Sequence, residues 1–203
     1  MKIGIIGGTF DPIHIGHLLL GQEALEQLQL DRILFIPAGI PWMKAKQKLS
    51  DKHHRLNMVR EATKNNASFI VSDMEVKREG NSYSSETIEQ LSKEHDNMTQ
   101  LFFIMGSEVL NNFPQWVNPF VILRRCTLTI VTRPGQQQPN LATIQQAFPD
   151  ELLETVRLPV AQIGISSSEL RARVQKGLPI THWVPLGVEQ YIQNNGLYRT
   201  EET

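Results

Sequence analysis

The sequence lacks the features by which several protein classes are recognised. Its 203 residues include one cysteine, Cys126, so no disulfide can form within the chain. No stretch approaches the roughly 18 apolar residues that a membrane-spanning helix needs. The first apolar run, residues 3–6, is short and is followed by Gly7, Gly8 and Asp11, which is not the pattern of a signal peptide. We therefore expect a cytoplasmic protein in a reducing compartment, with Cys126 as a buried structural thiol.

An excess of charge of one sign is also missing. Lysine and arginine total 20 and aspartate and glutamate total 21, which gives a net charge of −1. The chain therefore has no overall basic field for a nucleic-acid backbone, and any phosphate must be bound at a local site. The motif G-x-x-x-x-G-K-[ST] is absent, and Gly4, Gly7 and Gly8 do not form G-x-G-x-x-G. These absences disfavour a Walker-type NTPase and a standard dinucleotide dehydrogenase.

Short apolar runs alternate with amphipathic stretches along the whole chain. The runs are continuous, which is typical of strands buried on both faces of a parallel sheet. They predict strands over residues 3–6, 32–36, 68–72, 101–105, 128–132 and, more weakly, 155–159. Helical spacing predicts helices over residues 16–28, 53–62, 84–91, 168–175 and 187–193, and residues 134–140 are predicted to be a loop. The order predicts an α/β fold with a doubly wound parallel sheet, Rossmann-like, in one domain over residues 1–203 with a small helical part from about residue 165.

The most unusual stretch is GGTFDPIHIGH at residues 7–17, between the first predicted strand and the first predicted helix. Ligands of open α/β sheets bind beyond the carboxyl ends of the strands. Gly7 and Gly8 would let a ligand approach the backbone and would allow φ angles that other residues avoid. His14 and His17, three residues apart, would share one face of the helix start, where free N–H groups attract anions. The stretch therefore predicts a phosphate site.

The histidines alone leave two other interpretations open. His-x-x-His is also half of a metal site, although no cysteine cluster or second histidine pair supplies the remaining ligands. In the second interpretation, His14 and His17 are ordinary surface residues at the start of a helix.

GGTFDPIHIGH resembles the signature of the nucleotidyltransferases that carry an H-x-G-H box, here residues 14–17. Its longer form is most similar to that of the bacterial nicotinate mononucleotide adenylyltransferases, and the resemblance extends over nearly the whole chain. The matching segments, in chain order, are residues 37–44 (P-x-x-x-P-P-H-K), 82–87 (S-Y-T-x-x-T), 106–110 followed by Trp116 (G-x-D-x-L and a Trp), 132–135 (R-P-G), 165–171 (I-S-S-T-x-I-R) and 188–198 (V-x-x-Y-I-x-x-x-x-L-Y). The resemblance implies a Rossmann-like nucleotidyltransferase fold.

The resemblance implies adenylyl transfer from ATP to nicotinate mononucleotide, which gives deamido-NAD and pyrophosphate in NAD biosynthesis. The phosphate of the mononucleotide would attack the α-phosphorus directly, and because it is already anionic no general base is required. Catalysis would then be positioning and charge stabilisation. Mg²⁺ is expected with ATP, bound through phosphates rather than by protein ligands. The sequence leaves the oligomeric state open, and a homo-oligomer is compatible with it.

The resemblance also implies the site residues. The catalytic residues would be His14, His17, Lys44 and Arg171. ATP would be bound by Gly7, Gly8, Thr9, Phe10, His14, His17, Gly106, Glu108, Arg133, Ser166, Ser167 and Arg171. The mononucleotide would be bound by Thr9, Lys44, Tyr83, Ser84 and Trp116.

The residues themselves support part of this assignment. Ser166 and Glu169 form the S-x-x-E pattern of a capping box, which would place Arg171 near another helix N-terminus. Simpler interpretations also exist: a solvated arginine, a solvated lysine at Lys44 in a lysine-rich loop, and a core or rim tryptophan at Trp116.

The chain departs from the family pattern at a few positions. Trp42 and Met43 replace the second proline and the histidine of P-P-H-K in the substrate loop. Glu108 replaces an aspartate, and Ser84 and Ser168 replace threonines. Two rival functions follow: another adenylyltransferase that acts on nicotinamide mononucleotide or phosphopantetheine, and a silent nucleotide-binding regulatory module.

Overall fold

A six-stranded parallel sheet lies at the centre of the structure, a computed structural model that describes residues 1–44, 47–96, 98–132, 140–161 and 164–199. The strand order is β3-β2-β1-β4-β5-β6, the arrangement of a doubly wound sheet. The strands are β1 (Lys2–Gly8), β2 (Arg32–Pro37), β3 (Phe69–Val71), β4 (Gln100–Gly106), β5 (Cys126–Thr132) and β6 (Thr155–Pro159). The helices are α1 (Ile15–Gln27), α2 (Lys52–Thr63), α3 (Met74–Lys77), α4 (Ser84–Glu94), α5 (Phe120–Arg125), α6 (Ala142–Ala147), α7 (Ser167–Gln175) and α8 (Leu186–Asn194).

The two faces of the sheet bury separate apolar clusters because successive side chains of a strand point to opposite faces. In β4, Phe102 and Ile104 belong to the cluster that also contains residues of α2, α7 and α8. Leu101, Phe103 and Met105 belong to the cluster on the other face, with residues of α4 and α5. Both faces are therefore covered, which explains why the strand sequences are continuously apolar.

The predicted fold class and all six predicted strands are confirmed, with β3 shorter than expected. The five predicted helices are also present, with bounds that differ by a few residues. The prediction missed α3, α5, α6 and the 3₁₀ segments Trp42–Lys44 and Ser107–Gln115. These elements are short or have a three-residue period, so they carry no amphipathic α-helical pattern.

The residues from α7 onward add buried side chains to the apolar cluster against which α1 packs. Leu170, Val188 and Ile192 are buried in the same cluster as residues of β1 and β2. The organisation as one domain stays a prediction. The predicted ATP contact Arg133 lies outside the described residues. Of the predicted loop at residues 134–140, the structure describes only residue 140.

Two expectations about single features can be compared with the structure. Cys126 is buried, and burial raises the pKa of its thiol to about 12, so the thiol is an unreactive core group. No helix among the described residues is long and apolar enough to cross a membrane.

Candidate active site

A crevice opens where the strand order of the sheet reverses. β1 ends at Gly8 and its neighbour β4 ends at Gly106, and the two strands pair in parallel. The segments after them leave in opposite directions, which leaves a gap above the carboxyl ends of the strands. This is the position at which doubly wound folds bind their ligands.

Two pockets meet in this crevice and share His17, Leu20, Gly106 and Glu108 as a common wall. The pocket on the β5 side has a volume of about 210 Å³. The pocket on the β2 side has a volume of about 350 Å³. Besides the shared wall, the β5-side pocket is lined by His14, Gly16, Val131, Val160, Ala161 and Ile165. The β2-side pocket includes Gly7, Gly8, Thr9, Trp42, Lys44, Ser84 and Trp116 in its lining.

His14 and His17 lie together at the N-terminus of α1, as the three-residue spacing predicted. Their ring centroids are 3.7 Å apart. The backbone N–H of His14 donates to Nδ1 of His17 over 3.2 Å. Since Nδ1 of His17 is an acceptor, the proton of its neutral ring lies on Nε2. His17 therefore offers an N–H donor from the wall that the two pockets share.

Burial keeps both histidines uncharged. Burial lowers the pKa of His14 to about 4. The pKa of His17 is lowered by burial first, and then by the nearby His14 and Lys44. At neutral pH the pair therefore acts through hydrogen bonds rather than through positive charge. Nδ1 of His14 is buried and has no hydrogen-bond partner in the described part of the chain.

The surroundings of the front turn (residues 9–14) give Gly7 and Gly8 different roles. A Cβ on Gly7 would meet nothing within 4 Å, so this backbone is open, as expected. A Cβ on Gly8 would lie 2.9 Å from the ring of Phe10, so Gly8 is required by packing. Neither glycine uses the left-handed conformation that it allows. The residue with the left-handed backbone is Phe10, with φ of 49°, and its buried ring contacts His17 edge-on.

α7 lies against the front turn and carries Arg171. Ser166 caps the helix by accepting from the N–H of Glu169 over 3.1 Å, as the S-x-x-E pattern predicted. Ser167 donates its hydroxyl to the carbonyl of Pro12 over 2.9 Å. Both hydroxyls therefore serve the local structure first. Arg171 donates from Nη1 to the carbonyl of Asp11 over 2.7 Å, which fixes its guanidinium beside the front turn.

The Trp42 loop (residues 40–44) forms the outer wall of the β2-side pocket. Its 3₁₀ turn places Trp42 and Lys44 in the lining, and the Trp42 ring lies 6.3 Å from that of Tyr83. Burial lowers the pKa of Lys44, Arg171 acts in the same direction, and Asp11 opposes them. Lys44 and Arg171 therefore lie close enough to influence each other, although Arg171 lines neither pocket.

Of the remaining predicted mononucleotide residues, Ser84 and Trp116 line the same pocket and Tyr83 does not. Tyr83 precedes α4, and Ser84 is the first residue of that helix and lines the pocket. Trp116 packs against Phe103 and Phe113, with ring centroids 6.1 and 5.3 Å away. Trp116 also lines the pocket, so it is a rim residue with a fixed ring. Its buried Nε1 has no hydrogen-bond partner among the described residues.

Arg55 is an important residue that the sequence analysis missed. It is 2% exposed, and its guanidinium donates to four backbone carbonyls. Nη1 donates to Thr9 over 2.9 Å and also to Ala38, Nη2 donates to Gly39 over 2.7 Å, and Nε donates to Ser50 over 3.1 Å. Arg55 lies on the buried stripe of α2 with Val59, and a charged residue on such a stripe was the available signal.

Glu75 is a second missed residue. Its carboxyl is buried at the edge of the β2-side pocket and accepts from the Thr87 hydroxyl over 2.7 Å. Burial raises its pKa. Through Thr87, Glu75 connects α3 to α4 and helps to fix the helix start at Ser84.

Comparison with known proteins first identifies the class of protein to which the chain belongs. The sequence model of the family described as cytidylyltransferase-like matches residues 5–173. The fold and the crevice are thus those of the cytidylyltransferase-like nucleotidyltransferases.

Full-length relatives narrow the class. A probable nicotinate-nucleotide adenylyltransferase of Dehalococcoides mccartyi is 39% identical over 201 residues, which is 99% of this chain and 98% of the relative. One from a Thermoanaerobacter species is 37% identical over 206 residues, which is 100% of this chain and 96% of the relative. The chain belongs to the nicotinate-nucleotide adenylyltransferase family.

A solved structure agrees in fold. The nicotinic acid mononucleotide adenylyltransferase of Plasmodium falciparum, in a complex with NaAD, aligns with a TM-score of 0.77 at 20% identity over 97% of both chains.

Proposed function

We propose that this protein transfers the adenylyl group of ATP to nicotinate mononucleotide and releases pyrophosphate. The observation that carries the proposal is the pair of pockets that meet at His17 and Gly106. Two nucleotides bound in them would bring their phosphates together at the shared wall. The relatives named above carry the name of this activity over their full length.

The β5-side pocket would hold ATP and the β2-side pocket the mononucleotide. Trp116 has a fixed ring at the far end of the second pocket, where it would stack on the pyridine ring. The N-terminus of α4 at Ser84 would receive the carboxylate of nicotinate, because a helix start offers free N–H groups. Glu108, on the shared wall, would meet ribose hydroxyls.

The reaction needs no proton abstraction by the protein. A phosphate oxygen of the mononucleotide would bond to the α-phosphorus of ATP while the bond from that phosphorus to the β-phosphate oxygen breaks. The negative charge of the attacking oxygen ends on the departing pyrophosphate. Neutral His17 would donate from Nε2 to the transferring group, and Lys44 and Arg171 would supply the positive charge. Holding both reactants at one wall lowers the barrier by removing their relative motion.

Mg²⁺ would arrive with ATP as part of the substrate. Among the described residues, no group of three or more histidine, cysteine, aspartate or glutamate side chains is arranged to hold a metal. Binding through phosphates suits this arrangement. The proposal includes a cytoplasmic location, which fits a single buried thiol such as that of Cys126.

Pyrophosphate release by the purified protein with Mg-ATP tests the proposal. We expect turnover with nicotinate mononucleotide and much less with nicotinamide mononucleotide or phosphopantetheine. Turnover with phosphopantetheine alone would contradict the substrate assignment. Nucleotide binding without turnover of any of the three would support a silent regulatory module instead.

A further inference from the structure

The front turn is held from the far end of the sequence. Besides the bonds from Ser167 and Arg171, the hydroxyl of Tyr198 donates to Oδ1 of Asp11 over 2.7 Å. Tyr198 follows Asp11 by 187 residues and has a left-handed backbone, with φ of 64°. The position of its side chain is thus specified by the fold.

Asp11 is a buried carboxylate whose two oxygens have neutral donors. It is 2% exposed. Oδ1 accepts from Tyr198, and Oδ2 accepts from the backbone N–H of Ser50 over 3.2 Å. A buried carboxylate needs such donors, because an oxygen left without one costs the full loss of its hydration.

Three cations lie near Asp11, and none forms a direct pair with it. The negative charge of Asp11 acts on Lys44 and Arg55, and Arg171 bonds to the Asp11 carbonyl rather than to the carboxylate. Within the described ranges, every direct ion pair involves other carboxylates. Arg55 is occupied by backbone carbonyls. Lys44 and Arg171 are therefore the cations that a freed carboxylate oxygen could capture.

We propose that Tyr198 is a positioning residue for phosphate binding. By donating to Asp11, it keeps the carboxylate from pairing directly with Lys44 or Arg171, so both cations stay available to the polyphosphate of ATP. This inference rests on the proposed function only for the identity of the ligand. Burial and the charge of Asp11 raise the pKa of the Tyr198 phenol, so the hydroxyl keeps its proton and remains a donor.

Tyr198→Phe removes the hydroxyl, and Tyr191→Phe is the matched control. Tyr191 belongs to α8, and its hydroxyl bonds to Asn57 and His54 over 3.1 and 3.0 Å, away from the front turn. Calorimetric titration with tripolyphosphate measures the anion site without any mononucleotide. We expect Tyr198→Phe to weaken tripolyphosphate binding about tenfold and to lower kcat/KM for ATP by a similar factor. Tyr191→Phe should change both values by less than about twofold.

A double variant separates capture of the cations from simple loss of a hydrogen bond. Asp11→Asn added to Tyr198→Phe removes the charge that would capture Lys44 or Arg171, so it should restore tripolyphosphate binding toward the wild-type value. If the bond serves only to shape the turn, the double variant will bind no better than Tyr198→Phe, and the proposal is overturned. Should Asp11→Asn fail to fold, unchanged tripolyphosphate affinity in Tyr198→Phe would overturn it equally. Failure of the proposed function would appear differently, as an absence of pyrophosphate release by the wild type.

Discussion

The front turn and the Trp42 loop face each other across one pocket and are built in opposite ways. The front turn is buried, and its backbone carbonyls accept from Arg55, Ser167 and Arg171. The Trp42 loop carries Met43 at 55% exposure and is bonded mainly through its own backbone and the Ser82 segment. The contrast separates two tasks. Groups that must meet a transition state need fixed positions, whereas a wall that admits a substrate must leave room for entry.

The largest effect is expected on the fixed side. His17→Ala removes the donor on the shared wall and should lower kcat about 10²- to 10³-fold, the range found when a preorganised donor is lost. Pyrophosphate release measures it. His53→Ala, at an exposed histidine of α2, is the control and should keep wild-type turnover. Unchanged turnover in a folded His17→Ala protein would remove His17 from the proposed mechanism.

The next effect concerns how the fixed side is held. Arg55→Met keeps the aliphatic stem but leaves the carbonyls of Thr9, Ala38, Gly39 and Ser50 without their donor. Unmet buried carbonyls are costly, so the free energy of unfolding should fall by about 4 kcal/mol. Urea unfolding measures the change.

Arg60→Met is the matched control on the same helix. Arg60 pairs with Asp73 at the surface, and its side chain is 53% exposed. Its replacement should change the free energy of unfolding by less than about 0.5 kcal/mol. Similar losses in the two variants would show that the bonds of Arg55 contribute no special stability.

The pH dependence of stability tests the burial of the histidines. The pKa of His14 is about 4 in the folded protein and 6.5 ordinarily, so the folded state binds fewer protons than the unfolded state. The stabilising contribution is therefore complete above pH 6.5 and is lost as the pH falls toward 4. His14→Gln should reduce this loss by about 3 kcal/mol in unfolding curves recorded across that range. His53→Gln should follow the wild-type curve, and a His14→Gln curve as steep as the wild type would contradict the prediction.

The smallest effect is expected on the open side. Trp42→Ala should raise KM for nicotinate mononucleotide about tenfold, because the pocket loses one aromatic wall, with little change in kcat or in KM for ATP. Steady-state kinetics with each substrate varied in turn measures this. Trp42→Phe keeps a ring and should recover most of the affinity. A fall in kcat with unchanged KM would place Trp42 on the fixed side of the comparison.

The fixed side shows what the sequence could predict and what it could not. The sheet and His14 with His17 were predictable because hydrophobic period and residue spacing are local properties of the chain. Arg55 and Tyr198 were not, because their roles depend on bonds to residues 46 and 187 positions away. The role of Phe10 was missed for another reason. A glycine pair suggests unusual φ angles at the glycines. The left-handed backbone lies instead at Phe10, whose ring packs against Gly8.

The bond between Tyr198 and Asp11 also has a consequence for synthesis. The front turn is made among the first residues, but its carboxylate obtains this donor only after residue 198 has left the ribosome. A nascent or shortened chain can contain every residue of the H-x-G-H box and still lack the finished arrangement around it. A chain that extends past residue 198 is therefore a condition for a complete site.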